Sequence, residues 1–309
     1  MGQRPVVTNL KEQRVTLKGG RTLGFAEYGD PAGEAVLEFH GIPGSRLEAS
    51  YYDDAGKKLG ARVIGIDRPG FGISTYAKGY RIVDWPRDVL EFANALGLNR
   101  FAVAGISSGS PYALACARFM PERLNGCAVV SGISPLKVEG EKLNPGDYVL
   151  ASEILMARLA NAVPLVARAA FRYLLRQLRN NPRKAMELLM KGAPASDLEL
   201  LNDNRARRNF QDTLVECARG GINGAIEGFA LELRDWGFRL NDIKTHVSIW
   251  QGAADNVVFP RAASYMASKL PDHDLHIIPE AGHLTVIVRH AENVLRDLMI
   301  RSDAPRDRG

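Results

Sequence analysis

One short stretch in the first half of the chain restricts the possible folds more than any other feature. An apolar run of strand type, Phe101–Ile106, leads into Gly105-Ile106-Ser107-Ser108-Gly109, and residues at helical spacing follow from Tyr112. A Gly-x-Ser-x-Gly segment between a strand and a helix forms a sharp turn that holds its serine in strained backbone with an exposed hydroxyl. Both glycines are needed because a Cβ would collide with the adjoining strand and helix. We therefore expect Ser107 to be a catalytic nucleophile.

The rest of the chain alternates between strand-like and helix-like segments. Such alternation indicates a doubly wound α/β fold, with a mostly parallel sheet and helices on both faces. Apolar runs of strand type occur at residues 15–17, 23–28, 35–39, 62–66, 124–130, 246–250 and 275–278. Helical spacing occurs at residues 47–59, 84–96, 261–270 and 288–300.

The alternation is interrupted between residues 134 and 240, where no convincing strand is found. Helices are predicted there at residues 144–160, 164–178, 182–190, 197–218 and 225–236. We therefore predict an α/β core formed by residues 1–133 and 240–309, with an all-helical cap formed by residues 134–239. Since the predicted cap helices carry apolar faces, we expect them to wall a largely apolar pocket above Ser107.

The net charge and the spacing of the cysteines argue against a nucleic-acid-binding, metal-binding or disulfide-rich protein. The net charge is only +5, and the arginines that are dense between residues 168 and 183 are not interleaved with aromatic residues as in a nucleic-acid platform. Cys116, Cys127 and Cys217 have neither disulfide nor metal-ligand spacing. We expect no metal, no cofactor and no nucleic-acid partner, and a monomer or homodimer that acts on a small-molecule substrate.

Neither the N-terminal segment nor the most apolar long segment of the chain has the sequence character of a signal peptide or a membrane-spanning helix. Residues 1–16 lack the apolar centre of a signal peptide, and the most apolar long segment, residues 154–171, contains Arg158, Pro164 and Arg168. We therefore expect a cytoplasmic protein with no membrane partner.

An activated serine needs a base that accepts its proton and a carboxylate that orients the base. In a fold with this kind of turn, both follow later strands in the order Ser, Asp or Glu, His. Asp255 follows the predicted strand at 246–250, and His283 follows the one at 275–278. Taken alone, Asp255 is typical of a turn and His283 of a helix start. In this order after Ser107, the three residues predict a catalytic triad.

Two backbone N–H groups are needed to stabilise the oxyanion of an acyl-transfer intermediate. We expect one from Ser108 and the other from the loop His40-Gly41-Ile42-Pro43-Gly44, most simply from Ile42 because Pro43 has no N–H. The ring of His40 is expected to brace this loop. Gly41 and Leu284, which adjoin these groups in the chain, are expected to contact substrate.

Together these motifs resemble the α/β-hydrolase superfamily. The resemblance rests on the loop at 40–44, Asp67-Arg68-Pro69-Gly70-Phe71-Gly72, the turn at Ser107, Gly252-Ala253-Ala254-Asp255 and Ala281-Gly282-His283. It implies that the helical segment roofs the site and sets substrate choice. It also implies, from a serine at position 107, a branch other than the dehalogenases and epoxide hydrolases, which use aspartate there.

The reaction expected from these features is hydrolysis of a small, largely apolar carboxylic ester by a serine esterase. An alternative is an aminopeptidase or amidase, because the loop at 40–44 is similar to that of proline iminopeptidases, although Ser108 replaces their usual bulky residue. That reaction would need Glu227 or Glu232 to face the pocket, and we expect both to be surface residues. A further alternative is a hydrolase-like ligand sensor with little turnover.

Overall fold

The computed structural model describes residues 11–303 and is built on an eight-stranded sheet. The strands are β1 (Gln13–Thr16), β2 (Thr22–Gly29), β3 (Glu34–Phe39), β4 (Ala61–Ile66), β5 (Phe101–Ile106), β6 (Leu124–Val130), β7 (Val247–Gly252) and β8 (His273–Ile278). Every residue of β4, β5 and β7 is buried. Burial on both faces explains why these strands are continuous apolar runs rather than alternating ones.

The strand order places the ends of β3 and β5 side by side. The order across the sheet is β1-β2-β4-β3-β5-β6-β7-β8. The pairs β1–β2 and β2–β4 are antiparallel, and the other five pairs are parallel. The chain moves outward from β3 to β4 and then returns to β5 on the other side of β3. In open α/β sheets ligands bind beyond the carboxyl ends of the strands at such a point.

Twelve α-helices lie within the described part of the chain. They are α1 (Asp53–Leu59), α2 (Trp85–Ala95), α3 (Ser110–Phe119), α4 (Ala151–Ala162), α5 (Pro164–Asn180), α6 (Pro182–Leu189), α7 (Ala195–Leu200), α8 (Asn204–Glu216), α9 (Asn223–Glu232), α10 (Pro260–Lys269), α11 (His283–Arg289) and α12 (Ala291–Asp303). Helices α4–α9 come between β6 and β7, and we call residues 134–239 the insert. Among residues 11–303, no helix has both the length and the apolar character that a bilayer crossing requires.

Several of the predicted helices differ from those observed. The helix predicted at 144–160 begins at Ala151, and the segment 197–218 forms two helices, α7 and α8. Asp203 caps α8 by accepting the N–H of Ala206 at 2.8 Å. The segment 47–59 begins as a 3-10 helix, Arg46–Tyr52, before α1. The last helical segment starts earlier than predicted and is divided at His290 into α11 and α12. Residues 1–10 and 304–309 of the predicted core lie outside the described residues, and so does most of the N-terminal segment considered for targeting.

A buried ion pair joins the loops that follow β3 and β4. Asp67, directly after β4, accepts the backbone N–H of Arg46 at 2.7 Å and its Nη1 at 2.8 Å. The carboxylate of Asp67 also accepts the backbone N–H of Ile73 at 2.9 Å. Arg46 also pairs with Glu216 of α8 at 2.8 Å. Since a buried charge is costly without a partner, these contacts hold both loops and α8 in one arrangement.

Gly109→Ala tests whether the close contact between β3 and the turn after β5 is needed for stability. A Cβ at Gly109 would overlap the backbone carbonyl of Phe39, the last residue of β3, which cannot rotate away. We expect the free energy of unfolding in urea to fall by about 1–3 kcal/mol. The control is Gly19→Ala, where no atom lies within 4 Å of the new Cβ, and its effect should stay within about 0.5 kcal/mol. Equal stability of the two variants would contradict the packing argument.

Candidate active site

The backbone at Ser107 has the strained conformation that the sequence pattern predicts. Its φ is +50°, in the left-handed region that costs a residue with a side chain about 1–2 kcal/mol. A short 3-10 turn, Ser107–Gly109, then leads directly into α3. A Cβ at Gly105 would lie 2.6 Å from the carbonyl oxygen of Gly109, so only glycine fits there. The turn presents Ser107 to a cavity of about 370 Å³.

His283 and Asp255 are brought together at the ends of the neighbouring strands β7 and β8. The Nδ1 atom of His283 lies 2.8 Å from Oδ2 of Asp255. The carboxylate of Asp255 is buried and also accepts the N–H groups of Val257 and Val258, at 2.9 and 3.0 Å, and the Gln251 amide at 2.9 Å. With this many donors, the carboxylate of Asp255 is held firmly in position beside the imidazole.

The surroundings of His283 raise its pKa. Burial acts in the opposite direction, because it disfavours the charged imidazolium. The negative charge of Asp255 and its hydrogen bond to Nδ1 outweigh burial, and the more distant carboxylates of Asp197 and Glu48 add to the increase. The backbone carbonyl of His283 accepts the hydroxyl of Ser131 at 3.1 Å, and this bond helps to fix the position of the imidazole ring.

Six of the seven residues named from the sequence line the same cavity, and the seventh lies directly behind it. The cavity residues are Ser107, Ser108, Gly41, Ile42, His283 and Leu284. Asp255 does not line the cavity but contacts it through His283. The loop at 40–44 packs closely on the turn, since a Cβ at Gly41 would lie 3.1 Å from that of Ser107. The N–H of Ile42 has no acceptor within residues 11–303.

His40 braces the loop, as expected, rather than facing the cavity. Its Nε2 accepts the backbone N–H of Arg68 at 3.1 Å, so the proton is on Nδ1, which donates to the carbonyl of Gly41 at 2.8 Å. Burial lowers the pKa of His40 well below its ordinary value, and the positive charge of Arg68 lowers it further. The ring is therefore neutral and has both nitrogens in use.

Most side chains of the cavity wall are apolar, but four carboxyl groups lie among them. They belong to Glu48, Glu153, Asp197 and Glu232. Burial raises the pKa of Glu48 to about 7 and that of Glu232 to about 8, and the nearby charge of Glu153 contributes to the second increase. A carboxyl group with such a pKa is substantially protonated at neutral pH.

The expectation that Glu232 lies on the surface was wrong. Its Oε1 accepts the hydroxyl of Ser108 at 2.6 Å. Glu227, in contrast, accepts the hydroxyl of Tyr76 at 2.6 Å and does not line this cavity. The signal that could have identified Glu232 is the composition of α9, whose residues are apolar on all sides and therefore typical of a buried helix.

Asp255→Asn tests the electrostatic account of His283. Removal of the negative charge should lower the pKa of His283, because burial then acts without the opposing carboxylate. Histidine side-chain NMR across a pH titration measures this directly. Asp272→Asn is the matched control, since Asp272 contacts the exposed face of His246 at 2.7 Å and does not touch His283. An unchanged pKa of His283 in Asp255→Asn would contradict the account.

The sequence of this chain is similar to those of known proteins. A family model described as the α/β hydrolase fold matches residues 34–289. The bifunctional epoxide hydrolase 2 of Sus scrofa is 26% identical over 306 aligned residues, covering 90% of this chain but only 53% of the relative, so the chain spans about half of that relative's length. A 2-hydroxy-6-oxononadienedioate/2-hydroxy-6-oxononatrienedioate hydrolase of Paraburkholderia phymatum is 26% identical, covering 86% of this chain and 87% of the relative.

Solved structures agree on the fold. An esterase from Thermogutta terrifontis superposes with a TM-score of 0.68 at 19% identity, covering 95% of this chain and 99% of that structure. The matched range, residues 34–289, includes the strands from β3 to β8 and the turn at Ser107. The chain belongs to the α/β-hydrolase fold family.

Proposed function

We propose that this protein is a cofactor-independent serine hydrolase that cleaves a small carboxylic ester through an acyl-enzyme. The observation that carries the proposal is the left-handed Ser107, which shares one cavity with His283, whose Nδ1 is hydrogen-bonded to Asp255. In this proposal Ser107 is the nucleophile, His283 the general base and acid, and Asp255 the residue that orients the imidazole. Serine at position 107 favours acyl transfer over epoxide opening, for which related branches use aspartate.

The contacts of His283 support a specific proton path. Since Asp255 accepts from Nδ1, the neutral ring has Nε2 free to take the proton of Ser107 as its oxygen attacks the carbonyl carbon. The Ile42 and Ser108 N–H groups stabilise the oxyanion. His283 then protonates the leaving alcohol, and a water molecule repeats the sequence on the acyl-enzyme. Because attack requires neutral His283, activity should increase with pH through a pKa above the ordinary histidine value.

We propose further that residues 134–239 act as the cap of this site. Apolar side chains of the insert, including Leu150, Leu189 and Leu214, line the cavity opposite the Ser107 turn. They exclude water from the space in which the oxyanion forms, which strengthens its contacts with the backbone donors. They also offer an acyl chain about 0.8 kcal/mol for each buried CH₂ group.

A second candidate function is supported by the glutamates of the cavity wall. Glu48, Glu153 and Glu232 are suited to bind a substrate that carries an amine, as an aminopeptidase or amidase would require. A bound ammonium would lower the pKa values of these groups and favour their ionised forms, whereas a neutral ester would not. The two candidates therefore differ in the charge of the preferred substrate.

Ser107→Ala tests the nucleophile. The substitution removes one oxygen that faces the cavity, so the fold should be kept while kcat for p-nitrophenyl butyrate falls by about 10⁴- to 10⁶-fold. Ser110→Ala is the control, because that serine lies three positions on and donates its hydroxyl to the carbonyl of Ile133 instead. If Ser107→Ala retains more than a tenth of the wild-type kcat, the nucleophile is misassigned.

Substrate charge provides a separate test. We expect kcat/KM for the butyrate ester to exceed that for the succinate monoester by about tenfold or more, because a carboxylate on the acyl chain would face Glu48, Glu153 and Glu232. Alanine p-nitroanilide, assayed in parallel, measures the second candidate. For an amine-binding enzyme, Glu153→Gln would reduce kcat/KM for the anilide and leave the butyrate ester almost unaffected. A preference for the succinate monoester would contradict the amine-binding candidate and the predicted repulsion by the cavity carboxyl groups, and would leave ester hydrolysis by Ser107 in place.

A further inference from the structure

Arg68 is a buried cation that the proposed mechanism does not use. It follows Asp67 in the loop after β4, and its side chain is only 1% exposed. The guanidinium lies between the rings of Phe71 and Tyr112, with Cζ 4.7 Å from each ring centroid. Aromatic faces attract a cation but do not replace the hydrogen bonds it loses on burial. The remaining contacts of Arg68 therefore show why it is placed there.

Those contacts connect the two loops that supply the proposed oxyanion donors. Nη2 of Arg68 donates to the carbonyl of Gly41 at 3.0 Å, and Nη1 donates to the carbonyl of Ser108 at 3.2 Å. The backbone N–H of Arg68 also donates to His40, whose Nδ1 donates to the same Gly41 carbonyl. One planar, forked side chain thus spans both loops, which the single ammonium of a lysine could not do.

The Gly41 carbonyl determines where the Ile42 N–H points. The two groups belong to the same peptide unit, and in a planar trans peptide the C=O and N–H point in opposite directions. Arg68 and His40 hold the oxygen on their side, so the N–H is directed away from them. Because Gly41 packs on Ser107 and Ile42 lines its cavity, that direction leads to the reacting carbonyl.

Glycine at position 41 makes this restraint necessary. Without a Cβ, the backbone dihedral angles of Gly41 are less restricted than those of any other residue. A rotated Gly41–Ile42 peptide would present a carbonyl oxygen to the developing negative charge in place of a donor. On the basis of the proposed function, we infer that Arg68 is a positioning residue that keeps the oxyanion hole in its donating orientation.

The test compares Arg68→Lys and Arg68→Met with the same substitutions at Arg62 of β4. Arg62 is also a buried arginine, 6% exposed and paired with Glu27 at 2.5 Å, but it contacts neither the Gly41 nor the Ser108 carbonyl. For each variant, kcat and KM are measured with p-nitrophenyl butyrate on the folded fraction. Inhibition is measured with a trifluoromethyl ketone, which forms an oxyanion adduct with serine, and with the matching secondary alcohol, which does not.

In Arg68→Met, kcat should fall by about 10²- to 10³-fold with KM changed by less than about threefold, since the hole acts only in the transition state. Affinity for the trifluoromethyl ketone should fall by a similar factor, while affinity for the alcohol is unchanged. Arg68→Lys should be intermediate, because it keeps the charge and one of the two contacts. The Arg62 variants should lose stability but retain kcat and both affinities in their folded fraction.

Unchanged kcat and ketone affinity in Arg68→Lys and Arg68→Met would overturn the inference. So would equal losses for the ketone and the alcohol, which would indicate a general structural role. If Arg68→Met does not fold, Arg68→Lys alone decides between these outcomes. Failure of the proposed function is recognised separately, because wild-type protein would then form no ketone adduct that depends on Ser107.

Discussion

The left-handed backbone at Ser107 is the constraint on which the arrangement of the site depends. It is held because Gly105 and Gly109 let α3 approach the ends of β3 and β5 more closely than any side chain would allow. The strain costs about 1–2 kcal/mol, whereas burial of a single side chain such as Leu114 on α3 contributes about 1.5–3 kcal/mol. The free energy that the packing of α3 contributes is therefore several times larger than the cost of the strain at Ser107. The same close approach brings the loop at 40–44 against Ser107.

Carboxyl groups are buried around this turn, and their burial lowers the stability of the folded protein. The raised pKa values of Glu48 and Glu232 mean that the folded protein binds more protons than the unfolded chain between the ordinary carboxyl pKa and about 7–8. Stability must therefore decrease as pH rises through that window. Such groups are retained at sites where their chemistry is used. Arg68 contacts both of the loops that we propose to form the oxyanion hole, and its positive charge opposes part of the increase in the pKa values of Glu48 and Glu232.

Local sequence patterns predicted the strands, the turn at Ser107 and the order of Asp255 and His283, because each is a property of a few consecutive residues at a strand end. Contacts across long sequence separations could not be predicted in this way. Arg68 reaches Gly41 across 27 residues and Ser108 across 40, and nothing in its own segment indicates either partner. The burial of Glu232 was missed for the same reason, since it depends on how α9 packs over Ser108, 124 positions away.

These long-range contacts also show that the insert does more than cover the cavity. Ser196 of α7 accepts the N–H of Gly282 at 3.0 Å, and Asp197 accepts both the N–H and the hydroxyl of Thr285, at 2.8 and 2.7 Å. These bonds fix the start of α11 on either side of His283, while Glu232 of α9 binds the side chain of Ser108. A change in the insert that alters the cavity wall therefore also acts on the position of His283 unless α7 stays in place. If the insert is the cap that we propose, variation of substrate choice is least constrained in α4 and α6. These two helices line the cavity through Glu153 and Leu189, and no hydrogen bond described within residues 11–303 connects them to the proposed catalytic groups.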